Sequence, residues 1–163
     1  TTRCDASRRS VSSSGKELSG LISVQYCDKL HGCEVPADKI PSLVDEVPVL
    51  ALVAAHAKGI TVFRGVDELR VKETDRVAAV IDGLTKIGVD AWADGSDLFI
   101  EGNPDLVIPE GVKFETGKDH RLAMTWALAG LSGNCPVQVA DFESCAVSYP
   151  AFLSDIRSLV RER

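Results

Sequence analysis

The feature that most constrains this chain is a pattern it carries twice. From Val47 to Ile87 the order is helix, glycine, strand, loop, helix, and the same order returns from His120 to Val160. A unit of that kind cannot bury its apolar helix faces alone, so two copies packed together with paired strands predict a repeat-built α+β domain. In the first copy, Val47 to Lys58 reads as a largely buried helix, with Pro48 suited to its first turn and Gly59 to the position beyond its end. A strand over Ile60 to Phe63 follows. Glu73 to Ile87 is then amphipathic, with Val77, Val80, Ile81, Leu84 and Ile87 on one face. Short strands are predicted around Asp90 to Ala93, Leu98 to Glu101 and Val112 to Phe114. The second copy holds a helix from His120 to Leu131 ending near Gly133, a strand over Pro136 to Ala140, and a helix from Pro150 to Val160. Ahead of both, Leu21 to Tyr26 and Gly32 to Val35 read as extended. Residues 1–17 are serine-rich, have little to bury and are expected to be partly disordered.

Composition narrows the function classes. A net charge of -6 argues against a nucleic-acid binder, which normally carries a basic face, but leaves room for small anions held by a few focused cations. The longest apolar run, Val47 to Ala57, is too short to span a bilayer. The five cysteines include no CxxC pair and no metal spacing, which reads as reduced thiols in the cytoplasm, with Cys27 and Cys33 as small buried residues. No metal ligand set and no phosphate-cradling glycine loop is present, so neither a metal nor a nucleotide cofactor is expected.

Charge placement is the functional signal. A helix start disfavours cations, yet Arg76, preceded by Lys72, falls in the first turn of the second helix and Arg121 in the first turn of the third. Neutralisation by Glu73, Asp75 and Asp119 is one explanation. The recurrence of the irregularity in both repeats favours the other, an anionic ligand gripped by the arginines and the helix ends together. Asp45 and Glu73 suit helix capping, and beside fixed cations they also suit proton transfer without a metal. His56 reads as a hydrogen-bonded core residue and His31 as exposed. His120, between Asp119 and Arg121, is the histidine placed at the candidate site.

These residues carry a family resemblance. The segment Leu69-Arg70-Val71-Lys72-Glu73-Thr74-Asp75-Arg76 resembles the hallmark of 5-enolpyruvylshikimate-3-phosphate synthases. Ile40 to Pro48 resembles their aspartate-bearing stretch, Asp119 to Met124 a third motif, and Ser148-Tyr149-Pro150 with Phe152 a weaker fourth. The resemblance implies repeated helix-and-sheet units of the inside-out α/β barrel type, with residues 18–163 forming part of a carboxy-terminal domain: two repeat units and strands of a preceding one. It implies enolpyruvyl transfer from phosphoenolpyruvate to the 5-hydroxyl of shikimate 3-phosphate, in aromatic amino acid and chorismate biosynthesis, without a cofactor. Asp45 matches the carboxylate that handles the hydroxyl proton and Glu73 the acid–base group at the methylene carbon. Lys72 matches a lysine near the reacting hydroxyl, Arg76 and Arg121 match the grip on phosphoenolpyruvate, and Asp119 and His120 match supporting positions. The family also binds glyphosate.

Two positions depart from the pattern: Val147 stands where some members carry a lysine, and Glu68 where others carry a neutral polar residue. The family's amino-terminal domain, which faces this one across the active-site cleft, is a further expected partner, so the chain alone is expected to be inactive. Transfer to a UDP-sugar and a non-catalytic domain retaining the motifs are the alternative readings.

Overall fold

The computed structural model describes the backbone of residues 7–13, 18–23, 29–133 and 135–159, and the side chains of 29–133 and 135–158. The chain divides into two units, Thr1–Leu30 and His31–Arg163. In the first, strand β1 (Ser7–Ser13) pairs antiparallel with β2 (Leu18–Ser23), with a register shift between Arg9 and Val11. The serine-rich start, expected to be partly disordered, is thus a paired strand over Ser7–Ser13; the rest of residues 1–17 and of the strand expected to reach Tyr26 lies outside the described residues.

In the second unit the repeat is visible as two parallel strand–helix–strand crossovers. β3 (Glu34–Val35) and β4 (Gly59–Phe63) are parallel neighbours joined through α1 (Val47–Ala55). After β4 come α2 (Arg76–Lys86) and the antiparallel pair β5 (Asp90–Asp94) and β6 (Asp97–Gly102), completing a sheet of order β3-β4-β6-β5. β7 (Lys113–Phe114) and β8 (Gln138–Val139) are likewise parallel and joined through α3 (His120–Gly133). The chain continues through α4 (Cys145–Ser148) and α5 (Phe152–Leu159). Each crossover is followed by a short 3-10 turn, Asp67–Val71 and Phe142–Ser144, which no apolar period announces.

Alternation decides which sheet face is buried. Phe63, Leu98 and Ile100 point into the core, while Val62 and Phe99 face the other way, where Trp92 stacks on Phe99. α1 and α2 pack on the sheet and α3 packs against both helices, placing Val47, Ala51, Val77, Val80, Leu84, Leu122 and Trp126 in one apolar cluster. Among the described residues no helix is long and apolar enough to cross a membrane.

The strand expected over Pro136 to Ala140 shortens to Gln138–Val139, and helix boundaries move. α1 stops at Ala55 rather than Lys58, and His56, half-buried, closes it and lies 3.3 Å from the Ser132 hydroxyl of α3. α2 begins at Arg76, not Glu73, because Asp75 takes an extended conformation and its carboxylate caps the Ala78 amide at 2.9 Å. The last helix, α5, begins at Phe152 rather than Pro150, and a short helix that was not expected, α4, precedes that proline. Cys33, expected to be buried, is exposed because it leads into β3 at the open edge of the sheet; Cys27 lies outside the described residues.

Gly83 of α2 lets the two repeats approach. An added Cβ there would lie 2.1 Å from Cζ2 of Trp126, a fully buried ring stacked on Phe114 at 4.6 Å. Alanine is the better helix former by about 1 kcal/mol, yet overpacking costs roughly 1–3 kcal/mol. Gly83→Ala is therefore expected to lower the urea midpoint despite its propensity gain, and an unchanged or raised midpoint would contradict this packing.

Candidate active site at the paired helix starts

The site is built where α2 and α3 begin. Asp119 precedes α3, and one of its oxygens accepts the amides of Arg121 at 2.9 Å and Leu122 at 3.4 Å. Its other oxygen accepts Nε of Arg76, the first residue of α2, at 2.7 Å. A single fully buried carboxylate thus joins the starts of both helices. The loops ahead of them touch as well: Gly117 is left-handed, and a Cβ on it would meet Thr74 Cγ2 at 2.7 Å. Lys118 beside it also has φ 64°, a conformation that costs a non-glycine residue roughly 1 kcal/mol or more.

Arg76 is the hub. Besides Asp119, its Nη1 donates to Asp45 at 2.8 Å and its Nη2 to Glu73 at 2.7 Å. Its side chain is 1% exposed. Burial would pull the guanidinium's pKa down, but the hydrogen bonds to Asp119 and Asp45 outweigh it and the group is held above its ordinary range. The second arginine meets the same carboxylate: Arg121 Nη2 donates to the other oxygen of Asp45 at 3.0 Å. Both guanidinium groups therefore face one point, from chain positions far apart. The hydrogen bond from Arg76 keeps the Asp45 carboxyl below the ordinary carboxylate range against the cost of burial, with the charges of Arg121, Arg76 and Lys72 acting in the same sense.

The partners expected from sequence are partly rearranged. Glu73 does hold Arg76, and Asp119 does so from the other repeat, whereas Asp75 serves as the α2 cap and lies 3.5 Å from Arg70. Neutralisation of Arg76 by the chain's own carboxylates is thus what the structure shows. Arg121 is different: Asp45 is its one ion-pair partner among the described residues, and its buried Nε has no hydrogen-bond partner there. Lys72 lies beside the cluster with its ammonium 2.6 Å from Glu68. His120 opens α3 half-buried, its carbonyl facing the Cys145 thiol at 3.9 Å.

Sequence reasoning named Asp45, Glu73, Lys72, Arg76, Asp119, His120 and Arg121, and all seven lie at or beside these helix starts. It did not find that Asp45 bridges both arginines, nor the roles of Thr74, Gly117 and Lys118 in closing the two loops. The bridge spans 31 residues to Arg76 and 76 to Arg121, beyond any local period. Left-handed geometry at Lys118 leaves no mark in residue type.

In chemical terms the cluster offers two partly exposed carboxylates, Asp45 and Glu73, held on adjacent amino groups of one cation. A second guanidinium and an ammonium lie at the rim. That combination suits proton transfer beside a bound anion.

The model of the EPSP synthase family, 3-phosphoshikimate 1-carboxyvinyltransferase, matches residues 11–156. The 3-phosphoshikimate 1-carboxyvinyltransferase of Methylobacterium sp. (strain 4-46) is 43% identical over 155 residues, 95% of this chain and 34% of that protein. That of Roseiflexus castenholzii is 43% identical over 145 residues, 89% of this chain and 33% of its own length. The solved EPSP synthase from Acinetobacter baumannii superposes with a TM-score of 0.87 at 34% identity, covering 95% of this chain and 36% of that one. The chain therefore spans about a third of the length of the relatives it matches.

Proposed function

Since this chain belongs to the EPSP synthase family, we propose that it supplies one wall of an enolpyruvyl transferase site that joins phosphoenolpyruvate to the 5-hydroxyl of shikimate 3-phosphate. The observation that carries this reading is the convergence of Arg76 and Arg121 on the single carboxylate of Asp45, with Glu73 on the same guanidinium.

Each group then has a task. Asp45 receives the proton as the hydroxyl oxygen bonds to carbon 2 of phosphoenolpyruvate, and Glu73, in its protonated form, delivers one to the methylene carbon. In the second step Glu73 takes that proton back, the double bond re-forms, and phosphate leaves with the electron pair of its carbon–oxygen bond. Arg121 and Lys72, both partly exposed, take the anionic ends of the substrates. Arg76 backs them with its charge, and contact with ligand there requires one of its carboxylates to move aside. Asp119 acts through Arg76, and His120 shapes the start of α3. The rest of the parent protein supplies the facing wall, and with it the positioning that a two-substrate reaction requires. The cytoplasm, where free Cys33, Cys135 and Cys145 persist as thiols, is the compartment we assign.

The test is phosphate release from shikimate 3-phosphate and phosphoenolpyruvate. We expect none from this chain alone and steady turnover once a polypeptide covering the remaining two thirds of the Methylobacterium relative is added. Turnover by the chain alone would contradict the division of labour. Turnover of the folded pair with a UDP-sugar in place of shikimate 3-phosphate would contradict the acceptor.

A further inference from the structure

The two arginines are not equivalent, and the difference lies in how Asp45 holds them. Arg76 is walled in, with Nε, Nη1 and Nη2 each on a carboxylate at 2.7–2.8 Å. Arg121 is 34% exposed, holds one oxygen of Asp45 at 3.0 Å, and keeps a buried Nε with no partner among the described residues. Asp45 gives one oxygen to each cation, so neither contact is the paired, two-bond fork in which a guanidinium grips a carboxylate or phosphate most strongly. An incoming phosphoester offers two or more oxygens to Arg121, whereas Asp45 can offer only the one not committed to Arg76.

We propose that Asp45 is the internal place-holder of this anion site: before substrate binds, its carboxylate fills the Arg121 position, and the anionic ligand displaces it there, turning the freed oxygen toward the reacting hydroxyl. The inference rests on the reading above and adds an order of events to it. Exchange also removes a difficulty. A carboxylate held by two guanidinium groups is a poor base, because general-base efficiency falls as the group becomes more acidic than the working pH. Losing Arg121 as a partner raises the proton affinity of Asp45 when the substrate anion is in place. The site thereby keeps its cations compensated when empty and makes its base when full.

The test uses the 163-residue chain labelled with 15N and 13C and titrated with phosphoenolpyruvate. In the unaltered chain the Asp45 carboxyl carbon and the Arg121 Nε–H resonance are expected to move along one binding curve. A carboxyl carbon that stays fixed at saturation overturns the proposal, and this measurement needs no variant to fold. Asp45→Asn is then expected to bind phosphoenolpyruvate about three- to tenfold more tightly, the range set by removing one partly exposed ion pair from competition. Glu73→Gln removes the same charge but no competitor for Arg121, and a gain under about twofold is expected. Equal gains from the two variants would mean a general charge effect and would overturn the exchange. Ligand that binds nowhere near these resonances, in any of the three folded chains, would take down the reading of the site itself.

Discussion

Arg76→Met is expected to destabilise the second unit by roughly 3–5 kcal/mol, the cost of leaving a buried charge without its partner. The buried charge is Asp119, fully enclosed and engaged by Arg76 at 2.7 Å. Asp45 and Glu73 are 42% and 51% exposed, so they recover water when Arg76 is lost and add little to the total. Urea unfolding should show a lower midpoint with an unchanged slope. Arg76→Lys restores the charge but not the fork, since one ammonium cannot meet three carboxylates arranged around a planar group. It should recover only part of the loss. A fall of less than about 1 kcal/mol for Arg76→Met would mean that Asp119 is held by its contacts within α3 and Thr74 alone.

Glu73→Gln separates chemistry from folding. Glu73 is half exposed and touches Arg76 from three residues away, so its removal should cost under about 1 kcal/mol of stability. In the complemented enzyme the same change should reduce kcat by roughly 10²–10⁴, the usual contribution of a positioned acid–base group. KM for phosphoenolpyruvate should change far less, because the substitution neither adds nor removes a contact to Arg121. A variant with kcat within about threefold of the parent would remove Glu73 from the proton path.

Much of this architecture was legible in the chain because it is local. The α2 face needs only the spacing of Val77, Val80, Leu84 and Ile87, all buried in the structure. The β5–β6 turn needs only Gly95, whose φ of 57° suits it. The order helix, glycine, strand, loop, helix is readable twice in the sequence, but that the first helix of each copy joins two parallel strands required the fold. What escaped depends on competition between local and distant partners. Glu73 looked like the first residue of α2 because acidic residues favour helix starts, but Asp75 wins the cap and Glu73 turns to Arg76 instead. The sequence leaves the arginines either neutralised by Glu73, Asp75 and Asp119 or awaiting an anion, and their recurrence in both repeats favours the anion. The sequence named two of the three carboxylates that meet Arg76, Glu73 and Asp119, but no period connects Asp45 to either helix. Asp45 was recognisable as a candidate from its motif, while its position between two guanidinium groups required the fold.

If the starts of α2 and α3 form one anion site, both respond to a single ligand. The decisive experiment follows the Arg76 backbone amide and the Arg121 Nε–H of the labelled chain during addition of millimolar phosphoenolpyruvate, with inorganic sulfate as the control anion. Saturable shifts of both signals with a shared dissociation constant are expected, tighter for phosphoenolpyruvate than for sulfate. Shifts confined to one helix start, or separate constants for the two, would contradict a single site.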